Sequence, residues 1–327
     1  MTINIEEINF AEWEVLWEKV PNDNLLQSWL YGISKCDSEG LQMKYFAITR
    51  GGKEISLVQV LLRKIPVLGT IARINRGPLL IHNEFDNLDD NLFASIEAIL
   101  QETKRRNWRV LQIAPEVKKD LNNLTRLKGL GLRPLKNLAW ASGLFSLNKS
   151  TEEMMMSLNG KWRNCLKKGI KLGVEVKLLE NTESNINMLL DQYEALQGNK
   201  EFTGISNELI KEMANTQSRH WDFNIFSAHI SDNNEFLGLL VSVRYGANAI
   251  YLIGASNHLG RKYQANYVLL WQAILNAKSR ECLSFDIGGL DESTTKGISH
   301  FKKGLQSEIY DLCGEYRYYN FNFNIFS

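Results

Sequence analysis

The chain has 327 residues, enough for two domains at roughly 100–200 residues each. Hydrophobic residues make up 44% and charged residues 23%, and 38 Lys plus Arg stand against 37 Asp plus Glu, for a formal net charge of +1. That balance excludes holding a polyanion by bulk charge, though not by a local basic patch. The 5 prolines and 23 glycines exclude collagen-like and low-complexity chains. Cys36, Cys165, Cys282 and Cys313 have neither CxxC nor zinc-site spacing, so reduced thiols are expected. The N-terminus MTINIEEINFAEWE is acidic where a signal peptide is basic, and no apolar run approaches the ~18 residues of a membrane helix. A cytoplasmic protein without stable membrane insertion is expected, one still able to meet a substrate at the inner membrane surface.

In chain order, helical periodicity appears over Phe10–Val20 and around Trp29. Tyr45–Arg50, Ile55–Lys64 and Thr70–Leu80 read as strands, the first two joined by a turn at Gly51-Gly52. Leu92–Arg106 reads as a helix and Trp108–Ala114 as a strand closed by Pro115. A strand at Leu138–Leu147 precedes a boundary near 148. Ser150–Gly169 starts a helical region, with Glu152 and Glu153 in its first turn, and Asn187–Leu196 and Asn207–Met213 continue it. Asn224–Ile230, Phe236–Tyr245 and Ala249–Ser256 then read as strands, Tyr267–Ser279 as a helix and Cys282–Ile287 as a strand.

The halves thus repeat one series: three meandering strands, a helix and a further strand. The expected class is α/β (α+β), two copies of a mixed, mostly antiparallel sheet flanked by helices. The domains read as 1–148 and 149–316, the second carrying the chemistry, with a C-terminal tail 317–327 packing back on the first. This element order resembles that of the GNAT acyltransferase fold, here in tandem.

Residues 284–305, SFDIGGLDESTTKGISHFKKGL, resemble the DLGG…GI..FK motif of the Fem-type peptidoglycan-bridge aminoacyltransferases. Residues 158–176, LNGKWRNCLKKGIKLGVEV, are similar to that family's K-x-R-x-N…GVEV helix and strand. Gln27-Ser28-Trp29 and Arg76-Gly77-Pro78 resemble its LQSW and PRGP segments. The resemblance runs from about residue 27 to 316 and implies two tandem GNAT units. The short stretch from Val176 to Asn224 leaves no room for the family's long helical-hairpin arm, so the chain resembles the armless members.

The resemblance makes Lys302, after Phe301, the first candidate for chemistry: a cation that neutralises a developing oxyanion or meets the aminoacyl ester or terminal ribose of a tRNA. On residues alone, the Lys302-Lys303 pair reads as solvated surface. Asp286, Gly288 and Gly289 follow the last strand; Asp286 reads equally as an amine-orienting carboxylate and as a turn cap. On a helix, Lys161, Asn164, Lys168 and Lys171 share one face, and with Arg163 and Lys167 they form the densest basic stretch, suited to phosphates or to plain solvation. Trp29, Tyr251 and Tyr263 are candidate stacking surfaces, or core. Arg76 is a candidate on resemblance.

CoA-dependent GNAT enzymes hold pyrophosphate on an [RQ]-x-x-G-x-[GA] loop at a helix N-terminus. Here the stretch is Arg261-Lys-Tyr-Gln264-Ala-Asn266, with both small positions filled, and the first copy's Asn83–Asn91 is acidic. Neither makes a good CoA cradle. The histidines lack metal spacing, though His300 adjoins Phe301-Lys302, and there is no GxSxG or Walker A signature. Residues 201–213, EFTGISNELIKEM, offer no arginine for an acceptor phosphate.

The expected function is an N-acyltransferase moving an aminoacyl group from aminoacyl-tRNA to an amine of a cell-wall precursor or similar acceptor, with no metal or other cofactor. The alternative is an acyl-CoA-dependent N-acyltransferase acting on an amino sugar or small amine in a surface-polysaccharide pathway. A third is a non-catalytic binding module for nucleic acid or a polysaccharide pathway.

Overall fold

The computed structural model describes residues 2–81, 88–135, 140–198, 204–290 and 294–320. The chain divides into two units, Met1–Trp140 with Asp311–Ser327, and Ala141–Tyr310.

The first unit runs β1 (Ile3–Glu7), α1 (Phe10–Trp17), a 3-10 turn (Leu25–Gln27), α2 (Trp29–Glu39), β2 (Gln42–Arg50), β3 (Lys53–Ile65), β4 (Gly69–Asn75), β5 (Leu79–Leu80), α3 (Leu88–Arg105), β6 (Val110–Ala114), α4 (Leu121–Gly129) and β7 (Arg133–Pro134). A reciprocal cap starts α1: Asn9 accepts from the Glu12 amide, and Glu12 accepts from the Asn9 amide. β2, β3 and β4 form an antiparallel meander, and β6 joins β4 in parallel, which requires the α3 crossover. Ile96 and Ile99 of α3 pack on Ile48, Val58 and Ile74 of the sheet.

The Thr70–Leu80 strand expected from sequence is two strands. Arg76 adopts a left-handed φ of 49°, and the chain leaves β3 and rejoins it further along in the same direction, Leu79 and Leu80 pairing with Leu57 and Ser56. β1 and α4 have no counterpart among the expected elements because each is short and lacks a long apolar period.

The second unit begins with β8 (Trp140–Ser146), followed by α5 (Thr151–Ser157), α6 (Gly160–Lys171), β9 (Val174–Leu179), α7 (Glu183–Gly198), α8 (Asn207–Asn215), β10 (Trp221–Ile230), β11 (Phe236–Tyr245), β12 (Asn248–Ser256), α9 (His258–Lys262), α10 (Ala265–Ser279), β13 (Ser284–Asp286), α11 (Lys296–Lys303) and β14 (Glu308–Leu312). The sheet order is β14-β8-β13-β12-β11-β10-β9. As in the first unit, an antiparallel meander, here β10-β11-β12, is followed by a helix and a parallel strand. Leu269, Leu270 and Ile274 of α10 bury against Phe226, Leu240 and Phe285.

The helical region from Ser150 is two helices, not one. Ser150 caps α5 through Glu153, Leu158 is extended at ψ 148°, and Asn159 caps α6. The units divide at Trp140/Ala141, where the sequence predicts 148, because β8 pairs with β13, Ser146 opposite Ser284 and Phe145 opposite Phe285. The second unit ends at Tyr310, and β15 (Tyr316–Tyr319) adds to β6 of the first sheet. Leu138, Ala139 and the tail from 321 lie outside the described residues, as do Asn83–Asn87 of the acidic loop.

Asp222 on β10 ties this layer together. It takes a two-pronged contact from Arg280 at the end of α10, 3.0 and 2.9 Å, and a further bond from Arg244 on β11. Burial alone would raise its pKa, but the arginine hydrogen bonds and charges outweigh it and hold the carboxyl below its ordinary value. Its stabilisation is therefore present above the unfolded-state pKa and lost as pH falls through the depressed folded one. Asp222→Asn is expected to cost about 1–3 kcal/mol at neutral pH. Urea titrations should show the difference from wild type shrinking in acid.

Candidate active site

Parallel strands β12 and β13 stay paired for only three residues, Asn248 opposite Ser284 through Ile250 opposite Asp286. Beyond them the chain bonds to β8 instead: Ile287 N–H donates to the Gly143 carbonyl at 3.0 Å and Leu290 N–H to that of Ala141 at 2.7 Å. On the other side of β12, a register shift falls between Val241 and Ser242, which face Ile253 and Tyr251. The two strands therefore part at their carboxyl ends, the position where open α/β sheets take ligands.

Asp286 holds this parting. It is buried, 2% exposed. Its Oδ1 accepts the Gly288 N–H at 2.8 Å and lies in hydrogen-bond contact with the Ser142 hydroxyl, while Oδ2 accepts the Tyr310 hydroxyl at 2.7 Å. Ser142 Oγ also lies 2.9 Å from the Gly288 carbonyl. Both oxygens are thus engaged in fixing the 286–288 turn to β8 and β14. This is the geometry of a positioning residue.

Lys302, on α11, is 6% exposed. Its Nζ donates to the Gly289 carbonyl at 3.1 Å and stands 4.9 Å from the centre of the Tyr251 ring. Burial pushes the Tyr251 phenol up to about 12, so the ring beneath the ammonium stays uncharged at neutral pH. Gly288 makes the approach possible: its φ is +72°, and a Cβ there would lie 2.8 Å from the Tyr251 carbonyl and 3.2 Å from Lys302 Nζ. Gly288, Gly289, Tyr251, Asp286 and Lys302 are thus brought together from three separate stretches of chain.

α11 is fastened to α6 from behind. The Asn159 N–H donates to the Gly304 carbonyl at 2.9 Å. Gly304 faces the Trp162 indole so closely that a Cβ would lie 2.5 Å from its Cδ1. Phe301, Trp162 and Tyr267 make one aromatic cluster, with ring centres 5.0–6.1 Å apart. A cleft of about 320 Å³ opens beside it, lined by Trp162, Cys165, Tyr267, His300 and Lys303. His300 therefore faces this cleft. Trp162 Nε1 is buried with no acceptor among the described residues.

Of the other α6 candidates, Lys161, Asn164, Lys168 and Lys171 are exposed along one face, whereas Arg163 donates to the Met156 carbonyl at 3.1 Å and so closes the end of α5. Arg261, Gln264 and Asn266 gather at the start of α10. Arg261 donates to the Ser256 carbonyl and Asn266 to the Ser256 hydroxyl, both at 3.1 Å. Gln264 takes a left-handed φ of 61°, so the bend is made without glycine and its amide occupies the loop, donating to the Arg261 carbonyl.

Trp29 and Arg76 belong to the first unit, where both have structural partners. Trp29 stacks on Tyr45 with ring centres 3.8 Å apart. Arg76 is 8% exposed and makes a two-pronged contact with Glu116, 3.0 and 2.6 Å. The junction equivalent to the β12/β13 parting is closed here. β4 and β6 pair from Ile71–Val110 through Asn75–Ala114, and the Gly77 N–H continues to the Ala114 carbonyl. The Gln27 side chain packs on Gly77, donates to the Asn75 carbonyl at 2.7 Å and accepts from the Gln59 N–H at 2.8 Å.

Residues 178–323 match the FemAB family. The fold is similar to that of the FemX crystal structure, with 17% identity, coverage of 97% of this chain and 98% of that one, and a TM-score of 0.78. The chain has a tandem GNAT fold whose second unit carries the FemAB match. A tandem GNAT protein from the clavulanic acid biosynthesis pathway is also similar, at 10% identity, 98% and 99% coverage and a TM-score of 0.56. So is the C-terminal domain of a putative lysylphosphatidylglycerol synthetase from Agrobacterium fabrum, at 8%, 94% and 91%, and 0.51. No curated protein matches the sequence. Among the described residues, no helix is long and apolar enough to cross a membrane.

Ser142, Tyr310 and Trp162 brace or line the candidate site and were not singled out in the sequence. Ser142 and Tyr310 reach Asp286 across 144 and 24 residues of chain, and no spacing rule joins them. Trp162 lies inside the α6 motif segment, and an aromatic on the inner face of a basic helix was the available signal. Gly288→Ala is expected to destabilise the fold by about 1–3 kcal/mol, through its left-handed φ and the Tyr251 carbonyl. Gly297→Ala, in α11 with open space around it, should be neutral or stabilising by up to about 1 kcal/mol. Chemical denaturation of the two variants side by side tests this.

Proposed function

We propose that the chain is a Fem-type acyltransferase that moves an aminoacyl group from aminoacyl-tRNA to an amine, the acceptor being a peptidoglycan precursor or a related amine. The observation that carries this reading is the buried ammonium of Lys302 at the β12/β13 parting, which donates to a backbone carbonyl and stands over an uncharged ring. An ammonium held there is ready to exchange a carbonyl contact for a developing oxyanion.

The neutral amine attacks the ester carbonyl, forming the C–N bond and a tetrahedral oxyanion. Lys302 stabilises that charge. Collapse breaks the bond to the ribose oxygen, which leaves with a proton while the amine loses one. Asp286 contributes by holding Gly288 and hence the Lys302 site in shape, and its two engaged oxygens leave general-base chemistry to another group. The exposed cations Lys161, Lys168 and Lys171 on α6 offer the phosphates of the tRNA a short basic track that the net charge of +1 conceals.

The left-handed Gln264 and the Asn266 side chain favour this donor over acyl-CoA, since both occupy space a pyrophosphate loop needs open. Purified protein with charged tRNA and amine acceptors is expected to transfer label. Lys302→Ala should lower kcat by about 10²–10³-fold with the fold retained. Full activity in that variant overturns the role given to Lys302. Calorimetry with CoA is expected to show no binding, and saturable binding that Gln264→Gly tightens would favour the acyl-CoA reading.

A further inference from the structure

The β3–β4 hairpin of the first unit ends in Pro66-Val67-Leu68, between the paired residues Ile65 and Gly69. Val67 is fully exposed and Leu68 is 67% exposed. Val67 also takes a φ of +67°. A β-branched residue in the left-handed region is a conformational outlier, and Gly or Asn would make this turn with less strain. The tip thus carries two costs at one residue, apolar exposure and backbone strain, and neither contributes to the core. Such an outlier on a surface loop points to use.

The ground beneath the tip is basic. Arg63 and Lys64 are exposed on β3, the side chain of Arg109 lies across Gly69, and Lys104 and Arg105 are exposed at the end of α3. Two acids offset part of this charge, each shared by two cations: Glu39 by Lys35 and, at 3.8 Å, Arg63, and Glu102 by Arg105 and Arg106. Apolar side chains projecting beyond a ring of cations fit an anionic lipid surface, with the tip among acyl chains and the cations at headgroup phosphates.

We propose that the Val67-Leu68 tip is a membrane prong that docks the protein reversibly on anionic lipid bilayers. The complementary charge selects lipid over an apolar protein groove, and two side chains are enough for reversible attachment but not for insertion.

The test is co-sedimentation of the full chain with vesicles of phosphatidylcholine alone and of three parts phosphatidylcholine to one part phosphatidylglycerol. Wild type is expected to pellet with the anionic vesicles only and to be released by salt. The double variant V67N/L68N, which suits the turn, should bind at least about tenfold more weakly, given the apolar area removed. Its thermal stability should equal or exceed wild type, which separates lost docking from unfolding. R63E/K64E should weaken binding to anionic vesicles as well. Absence of wild-type binding, or equal binding by V67N/L68N, overturns the proposal. So does a wild-type dimer that V67N/L68N dissolves without any lipid binding.

Discussion

The candidate site depends on one constraint: a buried carboxylate must have its hydrogen-bonding capacity met from several directions. Asp286 meets it with a backbone N–H two residues on, a serine from β8 and a tyrosine from β14. Those bonds draw the chain after β13 toward β8 and away from β12, so the parting of the strands and the satisfaction of the carboxylate are one event. Gly288, in its left-handed conformation, then leaves the gap that the Lys302 ammonium enters.

The same logic explains why the two copies differ. Each unit has the meander, the crossover helix and the parallel strand. In the first, β6 stays on β4 to the end. Gln27 and Gln59 bond to each other's backbone, and Gln27 also donates to the Asn75 carbonyl, where β3 and β4 part. An Arg76–Glu116 pair sits beside them, consuming a cation that resemblance marked for substrate. The FemAB match, 178–323, spans β10 to β14 with Tyr251, Asp286 and Lys302, and it is there that the strands are open.

Much of the fold was legible in the sequence because the sheets and their crossover helices alternate with clear periods. Phe236–Tyr245 lies at the same bounds in sequence and structure, and the parallel closing strand of each copy follows its helix as expected. What escaped was local or distant. The Thr70–Leu80 break falls at Arg76-Gly77-Pro78, where Arg76 is left-handed and the Gly77–Pro78 peptide is cis. Strands β14 and β15 are short and find partners far away in sequence. At the site, Lys302 and the glycines were visible through their motif, but the Asp286 clamp was not. Its other members, Ser142 and Tyr310, are ordinary strand residues that only the sheet order brings together.

The glutamine lock of the first unit also bears on how such a chain diversifies. Its two amides satisfy backbone groups of β3, β4 and the 27–28 turn, so neither can be lost singly without orphaning a buried donor or acceptor. The place where β3 and β4 part is thus held by pairwise dependence rather than by bulk, and single substitutions there are poorly tolerated. The open copy has no such lock among the described residues, and its gap is bounded by a lysine and glycines whose neighbours can vary while the clamp holds.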